Sequence, residues 1–210
     1  MRIIILVLLI AVLYPTGAYG QINEYGIKIG AQSTSVFSDP SVDNRIIGFS
    51  GYIFVDRQLN ESLFTNIDLG FTQRGFRNAS NEINEDGEFI QRVEATSRLY
   101  YLSLSPSLNL ALPVISSNAY VGLGPRLDLL IDTQPGEYEF TNVTVSEDIV
   151  NDFDDLAFGA SFVAGFKKIP IGGLSVRVEA KYEVDITDSL SNHPREFRNN
   201  AIMVVLGVGF

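Results

Sequence analysis

The chain has 210 residues, 25 acidic against 15 basic for a formal net charge of −10, yet 46% of it is apolar and its mean hydropathy is +0.15. So much apolar material excludes a disordered acidic chain, and a surface of this sign excludes a nucleic-acid module, because phosphate repels it. With no cysteine in the sequence, disulfide scaffolds, thiol nucleophiles and cysteine metal sites drop out as well.

The first segment reads as a secretory signal. Arg2 precedes an apolar run over 3–14, followed by the helix breakers Pro15 and Gly17 and then by Ala18-Tyr19-Gly20, with small residues where a signal peptidase reads. A run of 12 residues is too short to span a bilayer, which takes roughly 20 in a helix. Residues 1–20 are expected to be removed by cleavage after Gly20. That removes Arg2, leaving 14 basic against 25 acidic residues and a net charge of −11. Without a cysteine the mature chain is not a lipoprotein, and residues 21–210 form one domain.

What recurs along that domain is alternation with a period of two. Tyr25, Ile27, Ile29 and Ala31 alternate with Glu24, Gly26, Lys28 and Gly30. A second strand near 45–57 is apolar and less cleanly alternating. Ile67, Leu69 and Phe71 then alternate with Asn66, Asp68, Gly70 and Thr72, and a fourth strand near 93–112 is again mostly apolar. Val121, Leu123, Leu127 and Leu129 stand against Gly122, Gly124, Arg126 and Asp128; Leu156, Phe158, Ala160, Phe162, Ala164 and Phe166 stand against Gly159, Ser161, Gly165 and Lys167. From Leu174 to Val184 one face is wholly apolar, whereas Arg177, Glu179, Lys181, Glu183 and Asp185 crowd the other. The last strand sets Ile202, Val204, Leu206, Val208 and Phe210 against Ala201, Met203, Gly207 and Gly209.

These strands number eight, and long polar connections at 33–44, 77–92, 132–154 and 186–197 alternate with short ones at 58–62, 113–118 and 169–173. That rhythm predicts an all-β fold: an eight-stranded antiparallel up-and-down transmembrane β-barrel in a Gram-negative outer membrane, with short periplasmic turns and long extracellular loops. Closure follows from backbone chemistry, since an unpaired amide or carbonyl in hydrocarbon costs several kcal/mol and a closed sheet has no edge. Eight strands leave an interior that side chains roughly fill, so a plugged lumen is expected.

A soluble lipocalin-like barrel shares the strand number and the alternation, with the faces reversed. Two features favour the membrane reading. The 174–185 strand concentrates five charges on its polar face, and the polar side of the last strand is Gly, Ala and Met, which fit a crowded lumen. The sequence also ends on Phe210 after alternating apolar residues, which resembles the signal read by barrel-assembly machinery, so Phe210 is the expected membrane-assembly terminus.

Several segments resemble the PorT-like outer-membrane β-barrel family of Bacteroidota. Tyr25-Gly26-Ile27-Lys28-Ile29-Gly30 is similar to that family's first strand, with Gln32 where an Asn is common. Tyr101-Leu102-Ser103-Leu104-Ser105-Pro106 resembles a mid-barrel strand that reaches a proline. Tyr120-Val121-Gly122-Leu123-Gly124-Pro125 resembles the next, and Lys181-Tyr182-Glu183-Val184-Asp185-Ile186-Thr187-Asp188 the seventh. The resemblance implies the same fold and location. For function it implies only that some members are tied to protein secretion.

The residues expected to face the lumen include Lys28, Asp68, Arg74, Arg126, Asp128, Arg177, Glu179, Lys181, Glu183 and Asp185, five basic and five acidic. They read as a salt-bridged plug, in which opposite charges satisfy one another, against an ion path or gate as the alternative. The loop 132–155 carries eight carboxylates and no Lys or Arg. Asn151, Asp152, Asp154 and Asp155 are dense enough to suggest Ca²⁺, but their spacing does not match a Ca²⁺-loop motif, and a solvated acidic loop is preferred. Asp188, Ser189, Ser191 and the single histidine, His193, lie together in sequence, yet a catalytic triad needs geometry that sequence proximity does not supply. Tyr25, Phe166 and Phe210 are placed at the periplasmic rim, and Phe71, Phe158 and Tyr182 towards the outer one, as interfacial belts.

The expected function is therefore non-enzymatic: an envelope structural role, or an accessory to transport or secretion. A narrow porin-like channel is the alternative and a lipid-modifying enzyme the distant one. Expected partners are outer-membrane lipid, barrel-assembly machinery and envelope or secretion proteins. No cofactor and no nucleic acid are expected.

Overall fold

A computed structural model describes residues 22–37, 45–83, 88–113, 118–140, 144–146, 153–171, 174–187 and 198–210. The strands are β1 (Ile22–Phe37), β2 (Ile46–Gln58), β3 (Leu63–Ile83), β4 (Phe89–Ala111), β5 (Ala119–Gln134), β6 (Glu137–Glu139), β7 (Thr144–Ser146), β8 (Leu156–Ile171), β9 (Leu174–Asp185) and β10 (Arg198–Gly209). Eight of them close into one antiparallel barrel in the order β1-β10-β9-β8-β5-β4-β3-β2, while β6 and β7 form a small separate ribbon.

The first and last barrel strands join from Gly26↔Gly209 to Phe37↔Arg198, which leaves no edge. Glycines make that joint possible. A Cβ at Gly26 would stand 2.0 Å from the Val208 carbonyl, and one at Gly209 would meet the Glu24 carboxylate. Phe210 extends the joint: its N–H donates to the Tyr25 carbonyl at 2.8 Å, and the two rings lie 6.4 Å apart.

The faces are those of a membrane barrel. On β9, Val178 is 37% exposed, whereas Arg177 and Glu179 beside it are 0% and 2%. Outward positions on every barrel strand are apolar, including Ile27, Ile53, Leu69, Leu102, Leu123, Phe162, Val178 and Val204. Inward positions carry the charged and hydroxyl residues. This is the reverse of a soluble barrel.

The first two long connections are shorter than expected, while the last keeps its expected span, 186–197. β1 continues to Phe37, and β3 and β4 run on as a two-stranded ribbon to Ile83 and Phe89, well into the span 77–92 expected to be loop. β2 leaves β3 after Ser50↔Thr72, so the ribbon stands clear of the barrel wall. It is held by cross-strand polar pairs, Arg77 to Glu94 at 3.2 Å and Gln91 to Glu82 at 2.6 Å. Over 77–83 and 89–92 polar residues fall on both faces, so alternation shows no strand there, whereas farther along β4 Val93 and Ala95 are buried. Phe49, Phe71 and Tyr100 mark where the apolar band gives way, with ring centroids 5.5 and 5.7 Å apart along the row. Phe71 was expected there; Phe49 and Tyr100 join it. Phe158 is half-buried, and Tyr182 stacks on Phe162 lower on the wall at 6.4 Å.

Candidate functional site

Alternation on β1, β3, β5 and β9 turns every second side chain into the lumen, and all ten charged residues singled out from the sequence arrive there buried. They sort into two clusters at different heights. Nearer the long loops, Arg74 on β3 and Arg126 on β5 face Asp128, Glu183 and Asp185. Arg74 reaches them at 2.8, 2.7 and 3.5 Å. Arg126 reaches Asp128 at 2.7 Å and Glu183 at 3.2 Å and also pairs with Asp185. Ser103 donates to Asp128 at 2.5 Å, and both the backbone and side-chain N–H of Asn199 donate to Asp185 at 3.1 Å.

Nearer the short turns, Lys28 spans Asp68 at 2.8 Å and Glu179 at 2.9 Å, and Lys181 pairs with the same two carboxylates. Tyr120 donates to Glu179 at 2.6 Å. Arg177 lies 2.8 Å from Asp56, 3.1 Å from Glu24 and 3.6 Å from Glu179. Asn66 links the groups, accepting from Lys28 at 3.2 Å and donating to Asp56 at 2.7 Å.

The even balance of five and five is corrected by this geometry. Glu24 and Asp56 are also buried in the lower cluster, and Lys167 stands at its rim 4.0 Å from Asp56. With these included, the lower cluster holds four cations and four carboxylates, while the upper holds two and three. Glu24 follows from the parity of β1, four residues before Lys28. Asp56 was hidden because β2 turns Tyr52 and Phe54 inward and apolar residues outward, so neither face looks polar.

Those inward aromatics have a role that alternation does not reveal. The Arg177 guanidinium lies 3.8 Å from the Phe54 ring centre and Lys28 5.0 Å from it, Lys181 lies 5.1 Å from Tyr52, and Arg74 5.6 Å from Tyr101. Ring faces thus supply part of what water supplied to the cations before burial. Above the upper cluster Phe76, Leu99, Tyr101 and Phe153 pack together, with Phe76 and Phe153 stacked at 6.1 Å. Phe153 precedes β8 and folds back over the mouth. Beside the lower cluster a cavity of about 10 Å³, lined by Ser105, Ser107, Asn109 and Ser161 among others, has room for about one water molecule.

Other candidates fall elsewhere. Residues 1–20, the segments 141–143 and 147–152 of the acidic loop, and Asp188, Ser189, Ser191 and His193 lie outside the described residues. Among the described residues no group of three or more His, Cys, Asp or Glu is arranged to hold a metal ion.

A family model described as outer membrane protein beta-barrel domain matches residues 4–210. No curated protein matches the chain. Among solved structures the chain is similar to Ail, the attachment invasion locus protein of Yersinia pestis, at 16% identity over 92% of this chain and 100% of that one, with a TM-score of 0.43. It is also similar to Neisserial surface protein A, at 13% identity over 89% and 97%, TM-score 0.47, and to OprG of Pseudomonas aeruginosa, at 8% over 90% and 94%, TM-score 0.32. The closed barrel, its apolar exterior and the match over nearly the whole sequence agree: the chain belongs to the outer-membrane β-barrel family, whose place is the outer membrane of Gram-negative cells.

Proposed function

We propose that this chain is a non-enzymatic barrel closed to ions along its axis, acting in the envelope through its outer ribbon and loops, as a structural element or as an accessory to transport or secretion. The observation that carries the reading is the lumen itself. Two hoops of ion pairs cross it, with an aromatic cap above them and, beside the lower hoop, a cavity of only about 10 Å³. A conducting pore needs charges that an ion can engage and leave, whereas these engage one another. The test is conductance of the refolded protein in planar bilayers. No steady openings are expected; steady openings would establish the narrow-channel reading instead.

The PorT-like resemblance supports the secretion branch of this reading. Cleavage after Gly20 is part of it, and mass spectrometry of the protein from outer membranes should find Gln21 at the N-terminus. Assembly through Phe210 is proposed on its lipid-facing place at the closing joint. His193→Ala should leave envelope lipids unchanged; an altered lipid profile would favour the enzyme reading.

A further inference from the structure

The β4–β5 seam contains a defect at membrane depth. Its register runs from Leu104↔Leu127 to Leu108↔Leu123, and the pairs between them are missing. The same register sets Pro106 opposite Pro125. The parity of the ladder is fixed at its ends: Leu112 donates to Ala119 across this seam at 2.8 Å, while Ala111 donates to Ser62 on the other side of β4, also at 2.8 Å. Even-numbered residues of β4 therefore direct both N–H and C=O at β5. Leu130 donates to Asp155 at 2.8 Å, so odd-numbered residues of β5 direct theirs at β4. Pro106 and Pro125 thus occupy a position where two residues should exchange two hydrogen bonds, and neither has an N–H to give.

Two carbonyls consequently face each other without ladder donors, along about 14 Å of unbonded seam. The prolines share the outer face with Leu104, Leu108, Leu123 and Leu127, in the hydrocarbon band, where an acceptor without a donor is costly. A closed barrel has no edge strand on which a proline is tolerated, so two facing prolines call for a reason. The β9–β10 seam, by contrast, pairs without a break from Asn200↔Val184 to Gly209↔Ser175.

Two hollows flank the defect. Behind it lies the small cavity, with the buried Ser105 Oγ and Asn109 Oδ1 lacking a hydrogen-bond partner in the protein. Next to it, beginning at the Leu108↔Leu123 pair that bounds the gap, lies an apolar groove of about 570 Å³ on the lipid side, lined by Leu108, Leu110, Val121, Leu123 and Phe162. Asn109 and Val163 line both spaces, and between them the wall has Gly122, where any Cβ would stand 1.9 Å from Asn109 Oδ1.

We propose that the β4–β5 seam is a lateral portal and binding site for a neutral amphiphile with a hydrogen-bond-donating head, an alcohol or amide, whose tail lies in the groove. The chemistry of the head follows from what is unmet. Lys181, Asp68 and Glu179 beside the cavity already satisfy one another, so a charged head has no partner there. The unmet groups are the carbonyls of Pro106 and Pro125 and Asn109 Oδ1, all acceptors, with the Ser105 hydroxyl beside them. The portal is independent of axial conductance, which it neither requires nor supplies.

The cysteine-free sequence makes the test direct. Ser105→Cys places a thiol behind the defect, and Met203→Cys places one behind ladders that are unbroken on both sides, in protein reconstituted in phospholipid nanodiscs. A long-chain alkyl maleimide dissolved in the bilayer should label Ser105→Cys about ten-fold faster than Met203→Cys, the effect expected from two missing hydrogen bonds. Adding Pro125→Val, which restores one N–H, should slow that labelling several-fold. Equal rates at the two cysteines, or no effect of Pro125→Val, would overturn the portal. Should a cysteine variant fail to fold, amide exchange at Leu108 and Leu123 of the unmodified chain, against the β9–β10 ladder, gives the same answer. The ligand class is read by competition: dodecanol should protect the thiol, whereas dodecane and dodecanoate should not. Equal protection by all three, or none by dodecanol, would overturn the assignment of a neutral donor head.

Discussion

The two charge clusters use the same residue types to different ends. In the lower one, Lys28 and Lys181 sit over one pair of carboxylates, Asp68 and Glu179, and Arg177 with Lys167 balances Glu24 and Asp56. Charges there cancel. In the upper one, two guanidiniums hold three carboxylates, each reaching all three, so one negative charge is carried in surplus and only the arginine forks hold the group together. Burial is similar in both, so the difference isolates stoichiometry. Where cations and anions match, losing either one creates an unpaired charge; where anions exceed cations, losing a cation is severe and losing an anion is mild.

The largest expected effect is therefore Arg126→Met. It leaves three buried carboxylates with Arg74 alone and takes the upper cluster from one surplus charge to two. A loss at the upper end of the range for broken buried pairs, about 5 kcal/mol, is expected in urea unfolding from lipid vesicles. A loss under about 1 kcal/mol would mean that the cluster is open to water and behaves as a surface network.

Next in size is Glu179→Gln in the lower cluster. Its carboxylate accepts from Tyr120 at 2.6 Å and from Lys28 at 3.1 Å, with Lys181 and Arg177 each within 3.6 Å. An amide nitrogen there would face donors whichever way it turned, and the cluster would gain an unmatched positive charge. About 3 kcal/mol of destabilisation is expected by the same measurement.

How much of this was legible in the sequence depends on polarity contrast. The 174–185 strand shows ions on one face and Val, Ala and Tyr on the other, so its charges can be placed inside from the pattern alone. β2 puts Tyr52 and Phe54 on the inner face and Ile53 and Val55 on the outer, so contrast vanished and Asp56 was missed. The outer parts of β3 and β4 lost it the opposite way, with polar residues on both faces, and read as loop. Phe153 could not be placed at all, because its burial depends on a connection folding back over the mouth. The prolines at 106 and 125 were plain to see; that they face each other is a fact of register, set by ladder ends that no local pattern reveals.

Glu183→Gln is the smallest expected effect and the sharpest comparison, since Glu183 lies on the same strand and face as Glu179, two inward positions along. Its Oε2 accepts from Arg74 Nη2 at 2.7 Å and from Arg126 Nη1 at 3.2 Å. A glutamine carbonyl oxygen in that place keeps both bonds, and the lost charge is the surplus one, so two arginines remain over two carboxylates. The cost should be about 1 kcal/mol or less, set by weaker neutral acceptance rather than by an unpaired ion. If Glu183→Gln proved as damaging as Glu179→Gln, charge count would not govern the lumen. The arginine forks would then need all three anions for geometry, and the upper cluster would be a coordination shell instead of an unbalanced pair of salt bridges.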